Sequence, residues 1–253
     1  MIYIFFFRLP VSKKILSMAN KFFSFKQFTI WQDRSAFKVG TDGVLLGACA
    51  DIGNVRSILD IGTGTGLISI MLAQRCDADI TSIEPDRESF DQAFENVNRC
   101  NWNNRIKVLH TDLQNFNQVQ EKFDLIVTNP PYFNDSLKNP EPRKSAARHN
   151  DSLTTLALLD GSVKLLKDDG RLQLILPYVE GNIFIAEAAV YGLFCNSILK
   201  IRPLPTSDIS RLILTFSRFQ KKPVERFLTI EHGNRHEFTE EYINLTRDFY
   251  LKF

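Results

Sequence analysis

Residues 57–66 read SILDIGTGTG, a short apolar run that leads directly into a glycine-rich turn. Residues 67–74 follow with the apolar spacing of a helix, and residues 80–84, ITSIE, form the next apolar run. A strand, a tight turn, a helix and a second strand in this order predict a β-α-β unit of a parallel sheet. The chain is therefore expected to fold as an α/β protein from residue 56 onward.

The later apolar runs extend this alternation. Residues 197–201 and 211–217 are too close in sequence for a crossover helix, so we expect them to pair and add an antiparallel edge strand to a mostly parallel sheet. Residues 227–230 and 240–251 are expected to form a strand and a helix at the C-terminus. The remaining strands are predicted at 106–110, 123–128 and 172–176, and the helices between them at 86–100, 153–167 and 181–191.

Composition excludes several classes of protein. Of the 253 residues, 44% are hydrophobic and 24% charged, which is typical of a globular domain and not of a disordered or fibrous chain. The four cysteines are scattered with no C-x-x-C pair, so neither a disulfide scaffold nor a cysteine-rich zinc module is expected, and a reducing compartment such as the cytoplasm is favoured. His232 and His236 are separated by Gly233 and Asn234, which disfavour a helix, so no metal site is predicted.

The chain begins with seven apolar residues, MIYIFFF, and the basic residues Arg8, Lys13 and Lys14 come after them. A secretory signal has the reverse order, with basic residues before the apolar stretch. Seven apolar residues are also far fewer than the roughly 20 that span a bilayer. We therefore expect no membrane association, a start at Met18, and residues 1–17 to be an upstream extension or a disordered tail.

The turn after the first strand, Asp60-Ile61-Gly62-Thr63-Gly64-Thr65-Gly66, indicates a ligand-binding loop. A dinucleotide-binding loop would have a third glycine where Leu67 stands, which weakens a dehydrogenase interpretation. An acidic residue before the glycines suits a cationic ligand without phosphates, such as S-adenosylmethionine. Two further carboxylates end the next strands: Glu84, expected to accept hydrogen bonds from ribose hydroxyls, and Asp112, expected to accept one from the adenine amino group.

Asn129-Pro130-Pro131-Tyr132 follows the fourth strand, at the same predicted edge of the sheet. An exocyclic amine on adenine is a poor nucleophile because its lone pair is delocalised into the ring. The Asn129 side-chain oxygen and the Pro130 carbonyl can both accept hydrogen bonds from such an amine, and the prolines hold that carbonyl in place. Tyr132 offers an aromatic face on which a flipped base can stack. The motif therefore predicts methylation of an amino group.

The glycine-rich loop together with Asn-Pro-Pro-Tyr resembles the S-adenosylmethionine-dependent amino-methyltransferases. Residues 38–46, KVGTDGVLL, resemble the N-terminal cofactor-covering motif of the bacterial tRNA(Val) adenine-N6-methyltransferases, and the segments 202–205, 211–214 and 242–253 are similar to that family as well. The resemblance covers residues 18–253 and implies a Rossmann-like class I methyltransferase with a seven-stranded sheet. It also implies that Lys38, Gly40, Thr41 and Asp42 contact the cofactor.

This resemblance further implies a single methyltransferase domain at 18–253, with a cofactor-covering segment at 18–55, a catalytic core at 56–220 and a tail at 221–253. The implied activity is N6-methylation of the adenine 3′ to the anticodon of a valine tRNA, by a monomer. The motifs alone leave protein glutamine-N5 and DNA adenine-N6 methyltransferases open, and a non-catalytic RNA-binding module as a different class. The first two usually carry an additional domain, for which this chain has little room.

The loop after Tyr132 is rich in basic residues. Residues 138–148 carry a net charge of +3, residues 1–26 carry +5 and residues 200–222 carry +5, although the whole chain carries only +2. This asymmetry suggests a basic face for RNA. Phe133 is predicted to pack against the base, and Arg143, Lys144 and Arg148 are predicted to contact phosphates.

Overall fold

A computed structural model describes residues 20–116, 121–131 and 153–253. In these ranges the chain forms ten strands and seven α-helices. The strands are β1 (Phe22–Ser24), β2 (Thr29–Trp31), β3 (Ser57–Ile61), β4 (Asp79–Glu84), β5 (Ile106–His110), β6 (Phe123–Thr128), β7 (Leu166–Pro177), β8 (Phe194–Arg202), β9 (Arg211–Ser217) and β10 (Val224–Thr229). The helices are α1 (Thr41–Cys49), α2 (Leu67–Arg75), α3 (Arg87–Arg99), α4 (Leu113–Phe116), α5 (Thr155–Leu165), α6 (Tyr178–Val190) and α7 (Glu240–Thr246).

The central sheet has the order β10-β8-β9-β7-β6-β3-β4-β5, in which β9 alone runs antiparallel to its neighbours. The α/β class and the mostly parallel sheet are confirmed. Two details of the expectation are wrong: the sheet has eight strands in the described residues instead of seven, and the antiparallel strand is internal.

Pairing along both edges of β9 explains the internal position. The hairpin of β8 and β9 joins the sheet through β9, which pairs with β7 from Leu172↔Phe216 to Pro177↔Arg211. This leaves the outer edge of β8 free for β10, which pairs with it in parallel. The C-terminal strand predicted from the sequence is therefore the eighth strand of the central sheet.

Apolar side chains fill both faces of the sheet. One core lies beneath α1, α2 and the C-terminal residues, and the other lies beneath α4, α5 and α6. Helix α1 approaches α2 closely at Gly47, where a Cβ would come within 2.8 Å of Met71 Sδ. Within the described ranges no helix is long and apolar enough to span a membrane.

The two ends of the described chain pack against each other. Strands β1 and β2 form an antiparallel hairpin, and the Lys26 ammonium donates hydrogen bonds to the carbonyls of Arg247 (2.6 Å) and Phe253. Phe25 stacks on Tyr250 with ring centroids 5.8 Å apart. The N-terminal segment is thereby held beside the core by the C-terminal tail.

Candidate active site

A cavity of about 850 Å³ opens at the carboxyl ends of β3, β4, β5 and β6. Open α/β sheets bind their ligands at this edge, because the loops that follow the parallel strands converge there. The volume is in the range of small-molecule sites. Of the residues predicted from the sequence, those that line the cavity are Lys38, Gly40, Thr41, Asp42, Gly62, Gly64, Glu84, Asp112, Asn129, Pro130 and Pro131.

The glycine-rich loop forms one wall of the cavity. Gly62 and Gly64 have φ angles of 69° and 59°, which strongly favour glycine. A Cβ at either position would meet no protein atom within 4 Å, so both residues face open space. The loop therefore presents bare backbone to a ligand.

Asp60 and Gly66 lie behind this wall and do not line the cavity. The Asp60 carboxyl is completely buried and accepts hydrogen bonds from the hydroxyls of Thr63 (2.6 Å) and Ser69 (2.7 Å), while burial raises its pKa. Gly66, with φ of 81°, packs against Ala93. Asp60 therefore supports the loop from below through Oδ2, while its Oδ1 is buried without a hydrogen-bond partner among the described residues, and the cofactor contact expected from the sequence stays a prediction.

Glu84 ties the loop to the end of β4. Its carboxylate accepts hydrogen bonds from the backbone N–H of Gly64 (2.8 Å) and of Asp86 (3.0 Å). Burial raises the pKa of Glu84 to about 7, against the lowering effect of these two N–H donors. Glu84 therefore lines the cavity with a carboxyl group held by two backbone N–H donors, and its contact with ribose stays a prediction.

Asp112 lines the cavity beyond the end of β5 and caps α4. Its two oxygens accept from the Asn115 backbone N–H (2.7 Å) and side-chain amide (2.9 Å). These contacts fix the carboxylate, which remains half-exposed on the cavity side. Asp112 therefore lies on the cavity wall, and its contact with adenine stays a prediction.

The residues before and within the first turn of α1 cover the cavity from the N-terminal side. Asp42 lines the cavity and also forms an ion pair with Arg211 of β9, with Oδ2 and Nε 2.9 Å apart. Sequence reasoning missed this role of Arg211, because 169 residues separate the partners. It also missed Phe37, an exposed aromatic residue on the cavity lining.

The Asn-Pro-Pro segment enters the cavity from β6. The Thr128 hydroxyl donates to the Ile61 carbonyl (2.9 Å), which joins the ends of β6 and β3. Asn129, Pro130 and Pro131 follow directly and line the cavity beside the glycine-rich loop. Tyr132, Phe133, Arg143, Lys144 and Arg148 lie outside the described residues.

The charges around the cavity test whether S-adenosylmethionine fits. Among the described lining residues, carboxylates outnumber cations by four to two. A phosphate-rich ligand would be repelled by this wall, whereas S-adenosylmethionine has an ammonium and a sulfonium group and no phosphate. The bare glycine backbone and the Glu84 carboxyl complete a site that fits this cofactor. The residues counted are Asp42, Glu84, Asp86 and Asp112, against Lys38 and Arg87.

The basic residues between 200 and 222 do not form one surface. Arg202 and Arg211 stand at the cavity edge of the sheet, where β8 ends and β9 begins. Arg218, Lys221 and Lys222 follow the other end of β9, which is about 20 Å away over seven residues of strand. A single basic face from this segment is therefore not observed.

The fold and the site together define a class I methyltransferase, and comparisons with known proteins agree. The family described as "Methyltransferase small domain" matches residues 38–180. A predicted O-methyltransferase from Agrobacterium tumefaciens has the same fold, with a TM-score of 0.63 at 21% identity over 82% of this chain and 96% of that one.

Curated relatives show the particular family. Proteins named "tRNA1(Val) (adenine(37)-N6)-methyltransferase" are 46% identical in Bacteroides thetaiotaomicron (92% of this chain, 99% of the relative) and 44% identical in Trichodesmium erythraeum (93% and 100%). The relative of that name from Phocaeicola vulgatus is 47% identical, over 92% of this chain and 99% of its own length. The chain belongs to this family of methyltransferases.

Proposed function

We propose that this protein transfers a methyl group from S-adenosylmethionine to the N6 amine of adenine 37 in a valine tRNA. The observation that carries the proposal is the position of Asn129 and Pro130 on the wall of the cavity that also contains the glycine-rich loop and Glu84. The names of the relatives, at 41–47% identity, support the same substrate.

Each part of the site has a distinct role in this reaction. S-Adenosylmethionine supplies an electrophilic methyl group on its sulfonium. Glu84 would accept hydrogen bonds from the ribose hydroxyls, and Asp112 would accept one from the adenine amino group. The Asn129 side-chain oxygen and the Pro130 carbonyl would each accept a hydrogen bond from one N–H of the target amine. This orients the nitrogen lone pair and withdraws it from the adenine ring, so that positioning and electrostatics lower the barrier. Methyl transfer would break the sulfonium S–C bond, leave S-adenosylhomocysteine and release one amine proton to solvent.

Several parts of the proposal concern residues outside the described ranges. Tyr132 would stack on the flipped adenine, Phe133 would pack beside it, and Arg143, Lys144 and Arg148 would contact phosphates. We further propose a monomer, acting in the cytoplasm on tRNA. The contacts of the N-terminal segment with α3 and of the C-terminal tail with α2, within the described residues, support the proposal of a single domain over residues 18–253.

Asn129→Ala tests the mechanism. Loss of the acceptor should abolish methyl transfer to valine tRNA, while the dissociation constant for S-adenosylmethionine should stay within about twofold, since the cofactor wall is intact. Asn98→Ala on the exposed surface of α3 is the matched control and should retain full activity. Wild-type turnover by Asn129→Ala would refute the mechanism.

The substrate is tested with radiolabelled cofactor and three acceptors: total tRNA, duplex DNA and a release factor. We expect label in tRNA alone, in a valine isoacceptor, with N6-methyladenosine as the product after nuclease digestion. Label in the release factor or the DNA without label in tRNA would identify the wrong acceptor.

A further inference from the structure

The N-terminal hairpin exposes aromatic rings that the core does not require. Phe22 and Trp31 are paired across the hairpin, with ring centroids 5.2 Å apart, and Phe22 is 48% exposed. The Arg99 guanidinium lies 5.3 Å from the centroid of the Trp31 ring. Phe25, Phe28 and Ile30 of the same segment are buried, so the hairpin is anchored without Phe22.

From this hairpin the chain runs along α3 towards the cavity. The backbone N–H of Trp31 donates to Asn96 Oδ1 (2.9 Å), and that of Arg34 donates to Gln92 Oε1 (3.1 Å). Ser35 then meets Ser89, whose hydroxyl is 3.3 Å away and which lines the cavity. Seven residues of helix separate the first and last of these contacts, a distance of about 10 Å.

A second exposed aromatic residue and a second cation stand where the segment reaches the cavity. Phe37 is 43% exposed, and both Phe37 and Lys38 line the cavity. Aromatic residues and cations therefore occur at both ends of this segment. We call the following set of residues the aromatic track: Phe22, Trp31, Arg34, Phe37, Lys38 and Arg99.

The charge of this region suits a polyanion. Lys21 joins the three exposed or half-exposed cations of the track at Arg34, Lys38 and Arg99. Opposing them are Asp33, Asp91 and Glu95, of which Glu95 is shared between Arg34 and Arg99. One positive charge remains in excess, next to rings that offer stacking faces.

On the basis of the function proposed above, we propose that the aromatic track binds unpaired nucleotides of the tRNA next to the target adenine. Single-stranded RNA is recognised by stacking of its bases on aromatic and arginine side chains, with cations at the phosphates. Bases stack on the Phe22–Trp31 pair and on Phe37, and Arg99, away from the acidic cavity wall, contacts the backbone. The stretch of α3 that separates the two ends, about 10 Å, corresponds to about three stacked nucleotides at 3.4 Å each.

An exposed cation–aromatic pair elsewhere on the protein provides a matched control. Phe227 of β10 is 62% exposed, with the Lys200 ammonium 5.5 Å from its ring centroid. Strand β10 lies at the opposite side of the sheet from β4, six strands away, or about 29 Å.

The test is tRNA affinity in Phe22→Ala/Arg99→Ala. Stacking on an aromatic residue changes affinity by about tenfold per base, so we expect at least tenfold weaker binding of valine tRNA and a shallower salt dependence. The affinity for S-adenosylmethionine should not change, and Lys200→Ala/Phe227→Ala should bind tRNA like the wild type. Equal tRNA affinity in the two double variants would overturn the inference, and would leave a protein partner as the reason for the exposed rings.

Tryptophan fluorescence gives a second readout that does not depend on removing the track. The chain has two tryptophans, so Trp102→Phe leaves Trp31 as the sole reporter. Addition of an anticodon stem-loop should change its emission, whereas a duplex lacking the loop should not. An unchanged emission at saturating stem-loop would contradict the inference. If the wild-type enzyme methylates tRNA in the same preparation, such a result counts against the track alone and not against the proposed function.

Discussion

Glu84 should make the stability of this protein depend on pH. Its carboxyl is 7% exposed, and burial raises its pKa from the ordinary 4.5 to about 7. Between pH 4.5 and about pH 7, Glu84 is therefore protonated in the folded chain and ionised in the unfolded chain. The folded state is therefore favoured at low pH, and this contribution is lost as the pH rises from about 4.5 through about 7. The pKa difference between the folded and the unfolded chain therefore corresponds to about 3 kcal/mol of folding free energy, at 1.36 kcal/mol for each pKa unit.

Urea unfolding of the wild type and of Glu84→Gln, without cofactor, isolates this contribution. The amide does not titrate, and the other groups titrate alike in both proteins. The free energy of unfolding of the variant, minus that of the wild type, should therefore rise by about 3 kcal/mol between pH 4.5 and 8. Glu241→Gln, at an exposed position on α7, is the control and should show no such trend. A Glu84→Gln difference that stays constant within about 0.5 kcal/mol would show that the burial argument is wrong.

The same carboxyl should couple cofactor binding to protons. Ribose hydroxyls that donate to Glu84 stabilise its ionised form, so binding near pH 7 should release a proton. Calorimetric titration of S-adenosylmethionine in two buffers of different ionisation enthalpy measures this release. Affinity should weaken from pH 7 to pH 5, and identical binding enthalpies in both buffers would contradict the coupling.

Two further pairs of substitutions test the glycine-rich loop and the Asp42–Arg211 ion pair. Gly64→Ala and Gly66→Ala should each destabilise the protein by about 1–2 kcal/mol in thermal unfolding, since both glycines have positive φ. Only Gly64→Ala should also weaken cofactor binding, because only its methyl group enters the cavity; equal affinities would refute this. Asp42→Asn and Arg211→Met should each weaken cofactor binding. Because the two residues form one ion pair, the double variant should bind the cofactor no more weakly than the single variant with the lower affinity. Additive losses would instead show that the two residues act separately.

Much of the site could be predicted from local sequence. The strand at Phe123–Thr128 has the predicted bounds, and the apolar run before the glycine-rich turn forms the expected strand at Ser57–Ile61. Each is a short apolar run that ends in residues with strong turn preferences, so its conformation depends on neighbours in sequence. The glycine-rich loop and Asn129 were placed at one edge because parallel strands direct their carboxyl ends the same way.

Burial of polar residues was harder to predict. Asp60 precedes the glycines as an acidic cofactor residue would, but its carboxyl hydrogen-bonds to Ser69 and Thr63 inside the protein. A motif records which residues are present and not which way each side chain points. The alternation of the strand directs Asp60 under the loop, and the contact with Ser69 appears only once α2 packs on the sheet.

The sequence by itself determined the α/β class, the cavity edge and the amino-methylating motif, because these depend on residues that are close in the chain. The tertiary structure alone decided that β9 is internal, that Asp42 pairs with Arg211, and that Phe22 and Trp31 meet Arg99 on a surface leading to the cavity. These arrangements join segments tens to more than a hundred residues apart. Such contacts depend on how strands pair and helices pack, and periodicity and motif spacing contain no information about them.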